Sequence, residues 1–217
     1  MKLKKIASLM LAGIMAVSML TACGGKTVDD GENNNGTVVV PTSSIVTAVN
    51  NGQDATNKVK IEFTSDASLD AALAKAVDAI GEYPAAVGLN VQMARLTGMD
   101  YGFDDMLGVK DSVHSTLITM DGNKMERFEA FPLMSAFADK AAAEKAAAKY
   151  IDEEIVSQLD DTTLTGKTQY NTKYADLAYT GSVSMVSATA NDGTVNYYVA
   201  VVITRTVNVK TLKPAEA

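Results

Sequence analysis

Apolar and polar positions alternate where Val59, Ile61 and Phe63 are interleaved with Lys60, Glu62 and Thr64, the period-two pattern of a strand with one buried face. The period then changes. Leu69, Ala72, Leu73, Ala76, Val77 and Ile80 recur at helical spacing, with Asp66 and Ser68 as candidate caps and Gly81 at the C-terminal end, which predicts a helix over 68–80. Pro84 is placed to open a second helix running through Val87, Val91 and Ala94 to about Leu96, with Gly88 as its weak point. Gly98 to Gly108 reads as a loop with one short helical turn.

Further along, Val113–Met120 and Met125–Phe131 flank Asp121-Gly122-Asn123, the pattern of a hairpin. The alanine-rich stretch from Phe137 to Leu159 reads as a long helix. It has Lys140/Glu144 and Lys149/Glu153 pairs and a core-facing stripe of Ala141, Ala148, Ile151, Ile155 and Leu159. Val183–Ala190 and Val195–Val209 flank Asn191-Asp192-Gly193, a second hairpin, and Tyr197 to Ile203 is apolar on both faces, as a central strand should be. The expected fold class is α+β. A mostly antiparallel sheet of about four or five strands, in two hairpins plus an N-terminal strand, packs with two to four helices as an α-β-α sandwich. The domain is expected over 58–210, with 211–217 as a tail.

The N-terminal region follows different rules. Lys2, Lys4 and Lys5 precede an apolar and small-residue run from Ile6 to Leu20, the length of a signal-peptide core and too short to span a bilayer as a helix. Leu20-Thr21-Ala22-Cys23 closes that run and resembles the lipobox of bacterial lipoproteins, a branched apolar residue and two small residues before a cysteine. The resemblance implies cleavage after Ala22, lipidation of Cys23, and a place on the outer face of the bacterial cell membrane, held by more than one acyl chain. Gly24 to Ser44 is polar and glycine-rich and reads as a tether; within it, Val38-Val39-Val40 is either an edge-strand fragment or extended linker. Asn50-Asn51-Gly52-Gln53 is a second polar interruption, so the domain should begin between Ile45 and Lys58, with 23–57 as lipidated cysteine and tether.

Removal of residues 1–22, which carry three lysines and no acid, would leave 195 residues and take the formal charge from −7 to −10. Arg95, Arg127 and Arg205 are the only arginines and lie far apart. A chain this acidic, without basic clusters, is no partner for nucleic acid. With Cys23 as the one cysteine, no thiol remains for a disulfide, a zinc site or a nucleophile.

His114 is the single histidine. It sits in an expected strand beside Ser115, which would face the opposite way, so it reads as an ordinary strand histidine. Phosphate-cradling and dinucleotide glycine motifs are absent, and Gly181-Ser182-Val183-Ser184 departs from a nucleophile elbow. No cofactor is expected.

Carboxylates are the plentiful functional groups. Asp100, Asp104 and Asp105 in a glycine-flanked segment are candidate calcium ligands, although their spacing does not fit an EF-hand. Asp152-Glu153-Glu154 and Asp160-Asp161 read as a solvated face at the end of the long helix. Tyr174, Tyr179, Tyr197 and Tyr198 surround the last hairpin, either as a contact patch for a glycan or protein or as half-buried sheet residues. The methionines at 93, 99, 106, 120, 125, 134 and 185 read as adaptable core filler.

The order of elements from Val59 to Val207 resembles the CAP (cysteine-rich secretory protein-like) domains of bacterial surfaces. The similar pieces are the helix at Ser68–Ile80, the long helix before the final strands, and the closing pair. That pair runs Tyr174-Ala175-Asp176-Leu177-Ala178-Tyr179-Thr180-Gly181, then Asp192-Gly193 leading into Tyr197-Tyr198-Val199-Ala200-Val201. The resemblance implies a small antiparallel sheet between helices. The family's cleft His and Glu positions have no counterpart, and its tryptophan-containing motif is missing from a chain without tryptophan, so no site residue carries over. The resulting expectation is a lipid-anchored, non-catalytic binding or interaction module with an envelope protein or glycan as partner. A carboxylate-based envelope hydrolase and a small-ligand carrier are the alternatives.

Overall fold

In the computed structural model, residues 38–39, 43–81, 86–106, 117–134, 136–159 and 173–211 are described, all within the compact unit Asn35–Ala217. The elements run β1 (Val38–Val39), α1 (Ser43–Gly52), β2 (Phe63–Thr64), α2 (Ala67–Ile80), α3 (Ala86–Thr97), β3 (Lys124–Leu133), α4 (Lys140–Tyr150), β4 (Lys173–Thr189) and β5 (Val195–Thr211). The fold is α+β.

The sheet is mixed and five-stranded, with order β1-β4-β5-β3 and β2 parallel to β4. Its backbone is the β4–β5 hairpin, in register from Lys173↔Thr211 to Thr189↔Val195. Because side chains alternate along each strand, β5 serves two cores. Val199, Val201, Ile203 and Val207 face α1 and α4, while Tyr198, Ala200 and Val202 face α2 and α3. Burial on both sides is why Tyr197 to Ile203 is apolar throughout.

The helix over 67–80 forms as its pattern demands. Asp66 accepts from the Ser68 and Leu69 N–H groups, and Gly81 ends the helix at φ 67°. Helix α4 starts at Asp139, whose side chain caps Ala142 N–H. It does not run as one α-helix to Leu159: a π turn spans Ile151–Ile155 and a 3-10 turn Val156–Gln158. The extra residue in the π turn re-aims the chain so that Ile151, Asp152, Ile155 and Val156 are all buried. Of the expected stripe, Ala148, Ile151, Ile155 and Leu159 are buried and Ala141 is exposed; Ala143, Glu144 and Ala147 also face the core.

Three expectations are corrected. First, the tether over 23–57 gives way to structure at its C-terminal end. Val38–Val39 pairs with Val186–Ser187, and α1 buries Ile45 and Val49 against the sheet. Second, the hairpin around Asp121-Gly122-Asn123 does not form as drawn. Leu117 to Met120 is a helical turn, with Met120 N–H on Leu117 O, and residues 113–116 lie outside the described set. Strand β3 pairs instead with β5, from Lys124↔Thr206 to Leu133↔Tyr197, because β5 offers a long apolar partner. Third, the final hairpin is longer than expected, with β4 beginning at Lys173.

The 59–64 segment keeps its alternation, with Val59, Ile61 and Phe63 buried, but only Phe63–Thr64 pairs as a strand. Side chains at the C-terminal end of α1 and one residue beyond it hydrogen-bond the backbone of Phe63 and Ile61. Asn50 donates to Phe63 O (2.9 Å) and accepts from Phe63 N–H (2.8 Å); Gln53 donates to Ile61 O (2.7 Å) and accepts from Ile61 N–H (3.0 Å). Two amides, one in the last turn of α1 and one just past its end, thus stand in for a neighbouring strand.

At the opposite edge, β3 is blunted. Phe128 exchanges hydrogen bonds with the 100–102 segment, Asn90 Oδ1 accepts Ala130 N–H at 2.8 Å, and Pro132 has no N–H to offer.

Candidate functional site

Helices α2 and α3 cover only part of their face of the sheet. Where the N-terminus of α2 and the C-terminus of α3 stop, a cleft of about 650 Å³ opens over β4 and β5. Its walls are rich in hydroxyls: Thr64, Ser65 and Ser68 from the β2–α2 turn, Thr180 and Ser182 from β4, and Thr204 from β5. Strand alternation produces the β4 and β5 part, since every second residue of Thr180–Ser184 and of Val202–Thr206 points to this face. Leu69, Ala72, Met99 and Val202 supply an apolar floor.

Several of these hydroxyls are already engaged. Thr64 Oγ1 donates to Gly181 O (3.3 Å), Thr97 Oγ1 to Met93 O (2.8 Å), and Thr204 Oγ1 to Glu126 Oε1 (3.2 Å). Among the described residues, the hydroxyls of Ser65, Ser68, Thr180 and Ser182 bond to no other part of the chain. Asp66 and Glu126 are the two carboxylates of the lining, which holds no lysine or arginine.

A second polar group lies on the other face, along the edge strand. Arg127 pairs with Asp105 at 3.0 Å and Asp100 at 3.5 Å. Two residues on, Glu129 accepts a hydrogen bond from Tyr150 Oη at 3.2 Å, and the Tyr150 ring lies 4.3 Å from Phe131. Burial pushes the Glu129 carboxyl above its ordinary range against the opposing Tyr150 hydrogen bond, and the charges of Asp104 and Glu154 push the same way as burial. Burial and the Glu129 charge push the Tyr150 hydroxyl up to about 12. Arg205 is buried nearby, with Nη1 on Asp105 O (2.9 Å), Nη2 against Met125 Sδ (3.6 Å) and Nε unpaired.

The Glu129 shift has a sign that can be measured. The folded state holds this proton more tightly than the unfolded chain, so the group's contribution to stability falls as pH rises from the ordinary value of 4.5 through the raised one. Glu129→Gln should flatten that part of the stability–pH profile, and Tyr150→Phe should move the Glu129 titration higher still. Urea unfolding across pH checks the first and side-chain NMR titration the second, where a downward shift in Tyr150→Phe contradicts the assignment.

The structure separates most of the residues expected to act together. Tyr179 and Tyr197 point to the α1–α4 face and Tyr198 to the α2–α3 face; all three are buried (8%, 8% and 1% exposed), and Tyr174 is half-buried. With three of the four buried and divided between opposite faces, they do not form one exposed contact patch. Asp100 and Asp105 converge on a guanidinium, and no group of acids or histidines among the described residues is arranged to hold a metal ion.

Asp152 is no solvated acid. The π turn brings it inward, where it accepts from Asp54 N–H (3.0 Å) and Asn57 Nδ2 (2.6 Å), while Glu153 pairs with Lys149. Lys140 and Glu144 pair as expected, but Glu144 is buried and also takes the Ser44 hydroxyl at 2.5 Å. Leu20, Thr21, Ala22, Cys23, His114, Asp160 and Asp161 lie outside the described residues.

The cleft itself was the feature that sequence reasoning missed. Its signal is the hydroxyl at every second position of β4 (Thr180, Ser182, Ser184) opposite Tyr179, Val183 and Met185. Glu129 and Tyr150 carried no local signal, since their meeting depends on α4 crossing β3. No family model, curated protein or solved structure matches the chain.

Proposed function

We propose that this chain is a lipid-anchored, extracytoplasmic bacterial binding module, attached to the outer face of the cell membrane through Cys23 and taking its ligand in the hydroxyl-lined cleft. The cleft is the observation that carries the binding part of this reading. It is concave, roomy enough for a small ligand, and combines free hydroxyls with an apolar floor. The Leu20–Cys23 resemblance supports the anchor. Against a carboxylate-based hydrolase, Asp100 and Asp105 are paired with Arg127, and Asp152 accepts from Asp54 N–H and Asn57 Nδ2.

One experiment tests both parts. In cells grown with labelled palmitate, the wild-type chain should carry label and Cys23→Ser should not; an unlabelled wild type contradicts the anchor. The small-molecule fraction of the host envelope should raise the melting temperature of the labelled protein through ligand linkage. Ser182→Tyr, which fills the cleft, should lose that shift. Equal stabilisation of both proteins would place the ligand elsewhere.

A further inference from the structure

Resting on the reading of the cleft as a binding site, we infer that its ligand is a neutral saccharide. The lining has two carboxylates, Asp66 and Glu126, and no cationic side chain, so phosphate, sulfate or a uronic acid would be repelled and would find no cationic partner. The four uncommitted hydroxyls on Ser65, Ser68, Thr180 and Ser182 can each donate and accept. That matches the mixed donor–acceptor pattern of sugar hydroxyls better than the acceptor-only pattern of an anion.

The free carboxylate oxygens of Asp66 and Glu126 accept sugar O–H groups in charge-assisted bonds. Leu69, Ala72, Met99 and Val202 present an apolar floor, suited to the C–H face of a pyranose ring. An ammonium ligand would also meet the carboxylates. Both, however, belong to exposed residues, where water and salt leave an ion pair worth little, and it would leave the hydroxyls unused. The cleft volume of about 650 Å³ lies in the middle of the range for small-molecule sites, about 300–1,000 Å³.

The test uses the full-length lipidated protein in detergent and isothermal titration calorimetry. The probes are N,N′,N″-triacetylchitotriose and maltotriose as neutral trisaccharides, glucose 6-phosphate as an anion and spermidine as a cation. At least one neutral trisaccharide should bind and glucose 6-phosphate should not. Thr180→Val and Ser182→Val should each weaken binding about fivefold, the equivalent of one lost hydrogen bond of about 1 kcal/mol. Thr206→Val, on the same face but outside the cleft, should bind as wild type. Circular dichroism confirms that each variant folds, and Ser182→Ala replaces Ser182→Val if the larger side chain disturbs the sheet.

Failure of both neutral sugars overturns the saccharide assignment, as does sugar binding that the two valine variants leave unchanged. Binding of spermidine alone, abolished by Glu126→Gln, overturns the ligand class while keeping the cleft as the site. The envelope-fraction shift described above reports on the cleft independently of these probes.

Discussion

Gly181→Ala should destabilise the protein by about 2–3 kcal/mol, at the upper end of what overpacking costs in a well-filled core. A Cβ built on Gly181 would sit 2.6 and 2.7 Å from two ring atoms of Phe63 and 3.1 Å from the Ile61 side chain. Phe63 is 1% exposed and Ile61 2%, with the sheet beneath them, so neither can swing into solvent. The glycine is needed for space, since its backbone does not lie in the left-handed region. Alanine in a strand would otherwise be mildly favourable over glycine, which makes a large loss diagnostic of the clash.

A double-mutant cycle separates the cause. Phe63→Leu removes the ring edge, and in that background Gly181→Ala should cost at least about 1 kcal/mol less, a coupling typical of residues in contact. Urea unfolding supplies the free energies. Additive effects would show that the Phe63 ring is not what forbids the side chain.

Asn50→Leu should cost about 2–4 kcal/mol. The substitution nearly preserves shape but removes both hydrogen bonds to Phe63, leaving a buried backbone N–H and C=O unpaired at about 1–3 kcal/mol each. Asn50→Asp gives a sharper comparison. The carboxylate can still accept the Phe63 N–H, but its second oxygen would face Phe63 O where a donor is required. It should therefore remain clearly destabilised at neutral pH. An Asn50→Leu protein within 0.5 kcal/mol of wild type by urea unfolding would contradict the role given to this amide.

Asn50 also marks the limit of what could be read beforehand. As part of Asn50-Asn51-Gly52-Gln53 it looks like linker: short, polar and next to a glycine. In the folded protein Asn50 and Gln53 are the hydrogen-bonding edge for the buried 61–63 segment. Nothing local distinguishes an amide that will meet solvent from one that will meet a backbone 8 or 13 residues away. The same holds for Asp152, one of three consecutive acids, which a π turn carries inward. The tyrosines erred the other way: clustered around a turn in sequence, they divide between two covered faces once β4 and β5 pair.

The sequence alone determined the parts governed by local rules. Periodicity and caps gave the 67–80 helix between Asp66 and Gly81, and the two-faced apolar run gave the central strand. Alternation gave the buried face at Val59, Ile61 and Phe63, and the turn at Asn191-Asp192-Gly193 gave the final hairpin. Each depends on groups within a few residues of one another, where propensity and amphipathicity dominate. Only the tertiary structure decided that β3 pairs with β5 and that α1 belongs to the core. It alone brought Arg127 to Asp105 and Tyr150 to Glu129, and left a cleft at the ends of α2 and α3. Those outcomes depend on which apolar surfaces cover one another, and that competition is settled by burial across the whole sheet.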